Sequence, residues 1–230
     1  MMRTLIAIGL GMSCMLLAAD ETAQKIRVTK TERIDFPSGG ALKLTNPVGE
    51  LTVQGWDRPD VEIATLISTK EAYDARDREK AARELDEVHV TAERRGNDVV
   101  VTTDSLRRRV TKFYVSYDIK IPRNAKLTVD HGLGEVHVAD VTGDVQVTDR
   151  RGLITLRLAE TGQYAIDAKS DIGGVTSDFP GAVKRKPWPV GHQFVQNTSG
   201  AAQKLYLRIG YGDILILQEH RPPTPAALVP

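Results

Sequence analysis

The sequence predicts a mainly β fold of short strands with one inserted short α-helix, on three observations. Apolar and polar residues alternate with period two through most of the chain, glycines punctuate a run of similar short units, and a single segment abandons alternation for helix-forming residues. With 41% hydrophobic and 27% charged residues in 230, the chain is large enough to bury a real core, as one elongated domain or two small ones.

The first nineteen residues carry one positive charge, Arg3, then an apolar run from Leu5 to Leu17, then the small pair Ala18-Ala19 before Asp20. That is the layout of a secretory signal peptide over residues 1–19. The run, about 13 residues, is shorter than the roughly 20 a spanning helix needs, and no other stretch approaches that length, so the mature chain is expected to lack a transmembrane segment. Cleavage is expected after Ala19. The competing site is Cys14, where Gly11-Met12-Ser13-Cys14 loosely resembles a lipoprotein box, although Met12 and the following Met15-Leu16-Leu17 fit that pattern poorly. The expected location is therefore outside the cytoplasm, with periplasm, envelope and extracellular side all open. Cys14 is the only cysteine, so the mature chain has no disulfide or thiolate chemistry. Loss of Arg3 takes the formal charge from +1 to zero, which gives no electrostatic ground for nucleic-acid or anionic-membrane binding.

Residues 20–35 form a polar lead-in with a short β-like stretch at Ile26 and Val28. From Leu42 the alternation is regular: Leu42/Leu44, Leu51/Val53, Val61/Ile63, Val88/Val90, Val99/Val101 and Val115/Tyr117/Ile119/Ile121 read as strands with one apolar face. Asp74 to Asp86 instead combines Ala, Glu, Lys and Arg with Ala75, Ala82 and Leu85 at near-helical spacing, and Asp74 stands ready as a cap; this is the expected helix, lying on the β core with a solvated outer face. Glu93 to Asp98 reads as a hairpin loop.

Between Leu127 and Val175 the units close on Gly134, Gly143, Gly152, Gly162 and Gly173, spaced 9, 9, 10 and 11 residues apart. Each unit places two alternating apolar residues after its start, Val136/Val138, Val145/Val147, Ile154/Leu156 and Tyr164/Ile166, and ends in a glycine able to take a positive φ. Two units would make one coil of a β-solenoid of parallel β-helix or roll type. An antiparallel meander closing into a β-sandwich has the same spacing, and spacing does not separate the two. Beyond Phe179 a loop-like interruption contains Lys184 to Val190, after which Phe194/Val195, Leu205/Leu207/Ile209 and Ile214/Ile216 resume strands. The proline-rich stretch 218–230 is expected to be extended or disordered.

The run from Asn46 to Asp57 with its Gly55-Trp56-Asp57, the helix near 74–86, the strand ending Ile121-Pro122-Arg123-Asn124-Ala125 and the Gly-x-Gly-Glu/Asp-Val-x-Val units together resemble the DUF4097 family, whose members are labelled adhesins. The C-terminal Gly210 to Ile216 looks like another copy of that unit. The resemblance covers residues 36–217. It implies a single-stranded β-solenoid and a secreted or envelope location, and it brings no catalytic residues. Arg150-Arg151, Leu153 and the interruption around Lys184 depart from the pattern.

His131 and His137, with Asp130, Glu135 and Asp140 nearby, have the residue types of a metal site. Alternation turns His137 outward beside inward Val136 and Val138, and His131 is expected in a glycine-flanked turn, so neither is read as a ligand; His89 reads as a surface residue too. The acids after turn glycines, Glu135, Asp144 and Asp213, could align into a ladder across stacked coils, yet Asp after Gly is equally a turn residue. There is no Gly-x-Ser-x-Gly and no phosphate-cradling glycine loop. Arg107-Arg108-Arg109 and Lys184-Arg185-Lys186 are local basic clusters read as solvated loops, and Trp56 is expected to cap the core while Trp188 is free to stack on sugars.

The sequence thus predicts a non-catalytic exported binding or scaffolding module of the cell envelope, with no catalytic residue, metal or cofactor and no ligand-binding residue that it names. Its expected partner is an envelope protein or glycan, with end-to-end self-association through uncovered ends. The alternative is a carbohydrate-active enzyme on a β-helix scaffold using carboxylates among Asp130, Glu135, Asp144 and Asp149.

Overall fold

Alternation gives an extended segment one face to bury, and in the computed structural model, which describes residues 23–46, 48–86, 88–104, 113–186 and 190–219, it becomes strand throughout. In chain order these are β1 (Arg27–Asp35), β2 (Ala41–Asn46), β3 (Gly49–Trp56), β4 (Asp60–Thr69), α1 (Ala75–Asp86), β5 (His89–Arg95), β6 (Asp98–Asp104), β7 (Phe113–Pro122), β8 (Lys126–Ala139), β9 (Val145–Ala159), β10 (Tyr164–Ile172), β11 (Val175–Ser177), β12 (Ala182–Lys186), β13 (Gly191–Gln196) and β14 (Gln203–Glu219). The fold is mainly β, with one helix among the described residues.

All fourteen strands belong to one mixed sheet. Its centre is parallel: β7, β3, β8, β9, β14 and β10 lie side by side, with β2 pairing β8 and β6, and β11 pairing β14. Its margins are antiparallel, β1–β4–β7 on one side and β10–β13–β12 on the other, with β5 hairpinned to β6.

The three longest strands each bend once, at glycine. In β8 the buried residues run Leu127, Val129, His131 and then Val136, Val138, so the inward set changes from odd to even across Gly134. A positive φ permits that change of phase, and Gly49, Gly134, Gly152, Gly212 and Gly173 stand in register with φ between 131° and 154°. Gly143 and Gly162, also expected to end units in a positive φ, are not among the positive-φ residues. Gly143 instead lets the chain pass Ala125, whose carbonyl oxygen lies 2.2 Å from where a Cβ would be.

β8 pairs with β9 in parallel at an offset of 18 residues, the length of two units: Leu127 pairs with Val145 and Val136 with Ile154. Strand order in the sheet is not chain order, however. β14 lies between β9 and β10, and β2–β3 stacks on β8 with β4, α1, β5, β6 and β7 intervening in the chain. The segment after Phe179, expected as loop, contributes the edge strand β12.

Apolar residues from strands across the sheet join one core, including Leu44, Val53, Val129, Val138, Val147, Leu156, Ile216 and Phe194. The helix begins where Asp74 Oδ1 accepts the backbone N–H groups of Arg76 at 3.1 Å and Asp77 at 3.0 Å, satisfying donors that have no partner inside the helix. It buries Ala81 and Leu85, an i, i+4 pair, rather than the expected Ala75 and Ala82. Asn97 and Gly96, at φ 65°, make the hairpin turn between β5 and β6.

Candidate functional site

The segments after the bends turn their polar residues outward in rows. Thr52 of β3 pairs in register with His137 of β8, and His137 with Thr155 of β9, which is buried at 6% exposure; one step along, Gln54, Ala139 and Arg157 form the next row. These rows floor a groove of about 310 Å³, closed at one end by Asp140 and Glu219. A second depression of about 230 Å³ continues past Thr52 onto Glu50, Ser116 and Asp118. Strand register alone produces this array, because outward residues at equal offsets from the corner glycines stack across neighbouring strands.

Val53, Val138 and Ala139 share the groove with its polar residues, and its charges are partly tethered. Asp140, held at φ 59°, pairs with Arg123 at 2.9 Å, and Arg123 also reaches Asp57 at 2.7 Å. The guanidinium is held above its ordinary value, first by its hydrogen bond to Asp57. His137 Nε2 lies 3.1 Å from Glu135, both half exposed, so His137 is on the surface as alternation predicts. Trp56 does not cap the core. It is half-buried, its Nε1 donates to Asp60 O at 2.8 Å, Arg58 stacks 5.1 Å from its ring centroid, and it lines a separate hollow of about 460 Å³.

The carboxylates proposed for a hydrolase do not meet. Asp130 is outward before the bend of β8 and Glu135 outward after it. Asp144 sits in the turn before β9, where Oδ1 accepts Lys204 N–H at 2.9 Å. Asp149 is inside the wall at 2% exposure. In the row that holds Glu135, Leu153 stands between it and Asp213, which accepts Gly174 N–H at 2.6 Å. Among the described residues no three His, Cys, Asp or Glu side chains group closely enough to hold a metal ion.

His131 overturns its expected surface place. The odd-residue phase of Leu127 and Val129 runs on through it, and its ring is buried at 2% exposure with Nε2 donating to Gly49 O at 3.1 Å. Burial holds its pKa below the usual histidine value. It belongs to an internal row: Asn46 pairs in register with His131, and His131 with Asp149, with Ser170 at the equivalent position of β10. Burial pushes the Asp149 carboxyl up to about 6, against the opposing pull of hydrogen bonds from the Arg151 and Arg150 backbone. The signal was present in the sequence as a polar residue three positions before a bend glycine, in Asn46/Gly49, His131/Gly134, Asp149/Gly152 and Ser170/Gly173. Arg107 to Arg109, Trp188, Cys14 and the leader lie outside the described residues; Lys184 and Arg185 are exposed on β12.

The architecture is that of a mixed-sheet, mainly β protein with a stacked polar surface. No family model matches the sequence, and no curated protein does. Its fold is similar to that of a putative cell adhesion protein from Clostridium sporogenes, with a TM-score of 0.51 at 13% identity over 85% of this chain and 100% of that one. A putative adhesin from Bacteroides fragilis is matched over 83% of this chain and 97% of its own, at 12% identity and a TM-score of 0.29. One from Parabacteroides merdae is matched over 82% and 80%, at 12% identity and 0.24. Among the described residues no helix is long and apolar enough to cross a membrane.

Proposed function

We propose that this chain is an exported, non-catalytic binding or scaffolding module of the cell envelope, of the DUF4097 type, built as a β-solenoid whose coils interleave. It uses the groove over Thr52, His137, Thr155 and Arg157 to hold an envelope glycan or a protein partner. The observation that carries this reading is the groove itself: rows of side chains at strand spacing on one sheet, beside carboxylates that do not converge, Asp149 being buried, Asp144 and Asp213 bonded to backbone, and Asp130 and Glu135 outward on opposite sides of the β8 bend. The name of the Clostridium sporogenes protein agrees with it. Residues 1–19 act as the leader, and the edges β1, β5 and β12 offer self-association surfaces, with β12 blunted by Lys184 and Arg185.

A glycan array and an envelope pull-down, run with the wild type, Arg157→Ala and Thr52→Arg, test it. A retained ligand whose signal drops about tenfold or more in both variants is expected, the loss of roughly one buried polar contact. Signals no higher than those of an unrelated secreted β protein would end the proposal. The leader is tested separately by the mass of the exported protein, which should begin at Asp20.

A further inference from the structure

Three inward side chains along the glycine corner donate to a backbone carbonyl, and in each case it is the carbonyl that the corner glycine of the same coil approaches. Asn46 Nδ2 donates to Val115 O at 3.2 Å, and Val115 O lies 2.1 Å from the place a Gly49 Cβ would take. His131 Nε2 donates to Gly49 O at 3.1 Å, and that oxygen lies 1.8 Å from the Gly134 Cβ position. Ser170 Oγ donates to Gly212 O at 2.7 Å, and that oxygen lies 2.1 Å from the Gly173 Cβ position.

Asp149 occupies the same place before Gly152. Gly134 O lies 1.6 Å from the Gly152 Cβ position and Asp149 Oδ2 lies 3.0 Å from it. The neighbouring rung has the same disposition, with His131 Nε2 3.2 Å from the Gly134 Cβ position, and there the two atoms are hydrogen-bonded. Asp149 Oδ1 accepts Arg151 N–H at 3.2 Å, whereas Oδ2 is sealed from water and no donor reaches it. An ionised carboxylate offers only lone pairs, and a carbonyl oxygen offers only lone pairs, so two such oxygens repel unless one carries a proton.

We propose that Asp149 is held as a neutral carboxylic acid whose Oδ2–H donates to the Gly134 carbonyl, making the β8–β9 joint a contact that acid strengthens and loss of the proton loosens. The groups facing it agree. In register on β8 stands His131, whose charged form burial disfavours, and on β14 stands Ile209. On its own strand Arg150 and Arg151 are exposed, Arg151 stacking 5.3 Å from the Tyr211 ring centroid, and both offer Asp149 only backbone N–H. Asp130 on β8 points outward. No cation on these elements faces the carboxyl to hold it ionised, and burial raises its pKa from 3.8 to about 6. Because the folded value lies above the unfolded one, the stabilisation is full below 3.8 and is lost as pH rises through about 6.

The test uses the full chain carrying ¹³C at its aspartate carboxyl carbons. One carboxyl resonance should titrate near 6 instead of 3.8 and vanish in Asp149→Asn. The urea midpoint of the wild type should fall between about pH 4 and about pH 7 more than that of Asp149→Asn, whose amide donates as Asn46 does. Aspartate resonances that all titrate at ordinary values would overturn the proposal, as would a resonance near 6 that survives the substitution or an equal pH dependence in both proteins. If Asp149→Asn does not fold, Asp149→Ser, which supplies the group Ser170 uses, takes its place; if neither folds, the wild-type titration decides.

Discussion

Parallel passes at the centre of the sheet meet backbone to backbone at their glycine corners, whereas the antiparallel margin β1–β4–β7 is joined through charged side chains. At the centre, the carbonyl of one strand stands where the corner glycine's Cβ on its neighbour would be, and buried Asn46, His131 and Ser170 donate to such carbonyls. At the margin, Glu62 of β4 accepts from Arg33 of β1 at 2.5 Å and from Lys120 of β7 at 3.0 Å, in reach of solvent. The difference shows where the molecule stores its specificity. A corner tolerates neither an added atom nor an unpaired charge, while a margin built on mobile ion pairs tolerates both.

The sharpest break is expected at the corner. Gly152→Ala puts a methyl 1.6 Å from Gly134 O at φ 154°, so chemical denaturation should show loss of the cooperative fold or destabilisation above about 4 kcal/mol. Gly96→Ala, at φ 65° in open space, should cost only about 1 kcal/mol and leave the stack intact. Equal losses at the two sites would erase the distinction between corner and hairpin.

A smaller effect is expected from Asp149→Asn, which should stabilise the protein above pH 6 by up to roughly 3 kcal/mol, the scale of a shift from 3.8 to about 6. Removing the helix cap with Asp74→Ala should cost about 1 kcal/mol in urea unfolding, because two backbone donors lose their acceptor away from the central stack.

The smallest effect has the opposite sign in pH. Glu62 is held below its ordinary 4.5, first by its hydrogen bond to Arg33 and then by that to Lys120. Its contribution is therefore present above 4.5 and lost as pH falls through the lowered value. Hydrogen exchange followed between about pH 7 and about pH 3 should show β1 and β4 losing protection while β8 and β9 gain it. A parallel change in both regions would mean that centre and margin respond as one unit.

Much of this was legible in the chain itself. Period-two alternation located most strands, the switch to Ala, Glu, Lys and Arg after Asp74 located the helix, and three of the five spaced glycines, Gly134, Gly152 and Gly173, located bends while Gly143 and Gly162 did not, since each is a local choice of backbone conformation. The outward position of His137 followed from Val136 and Val138 on either side. The glycines near His131 suggest a turn, yet the alternation of Leu127 and Val129 continues through His131 to the bend at Gly134, as that of Val145 and Val147 continues through Asp149, offered as a surface carboxylate, to Gly152. Sequence by itself determined which residues alternate, which segment is helical and where the backbone can change phase. Tertiary structure alone decided that β14 lies between β9 and β10, that β2–β3 stacks on β8, and hence which polar residues share a groove or an internal row. Backbone hydrogen bonds between strands carry no side-chain identity, so strands with the same inward pairs and the same glycine corner are interchangeable until the whole core is packed.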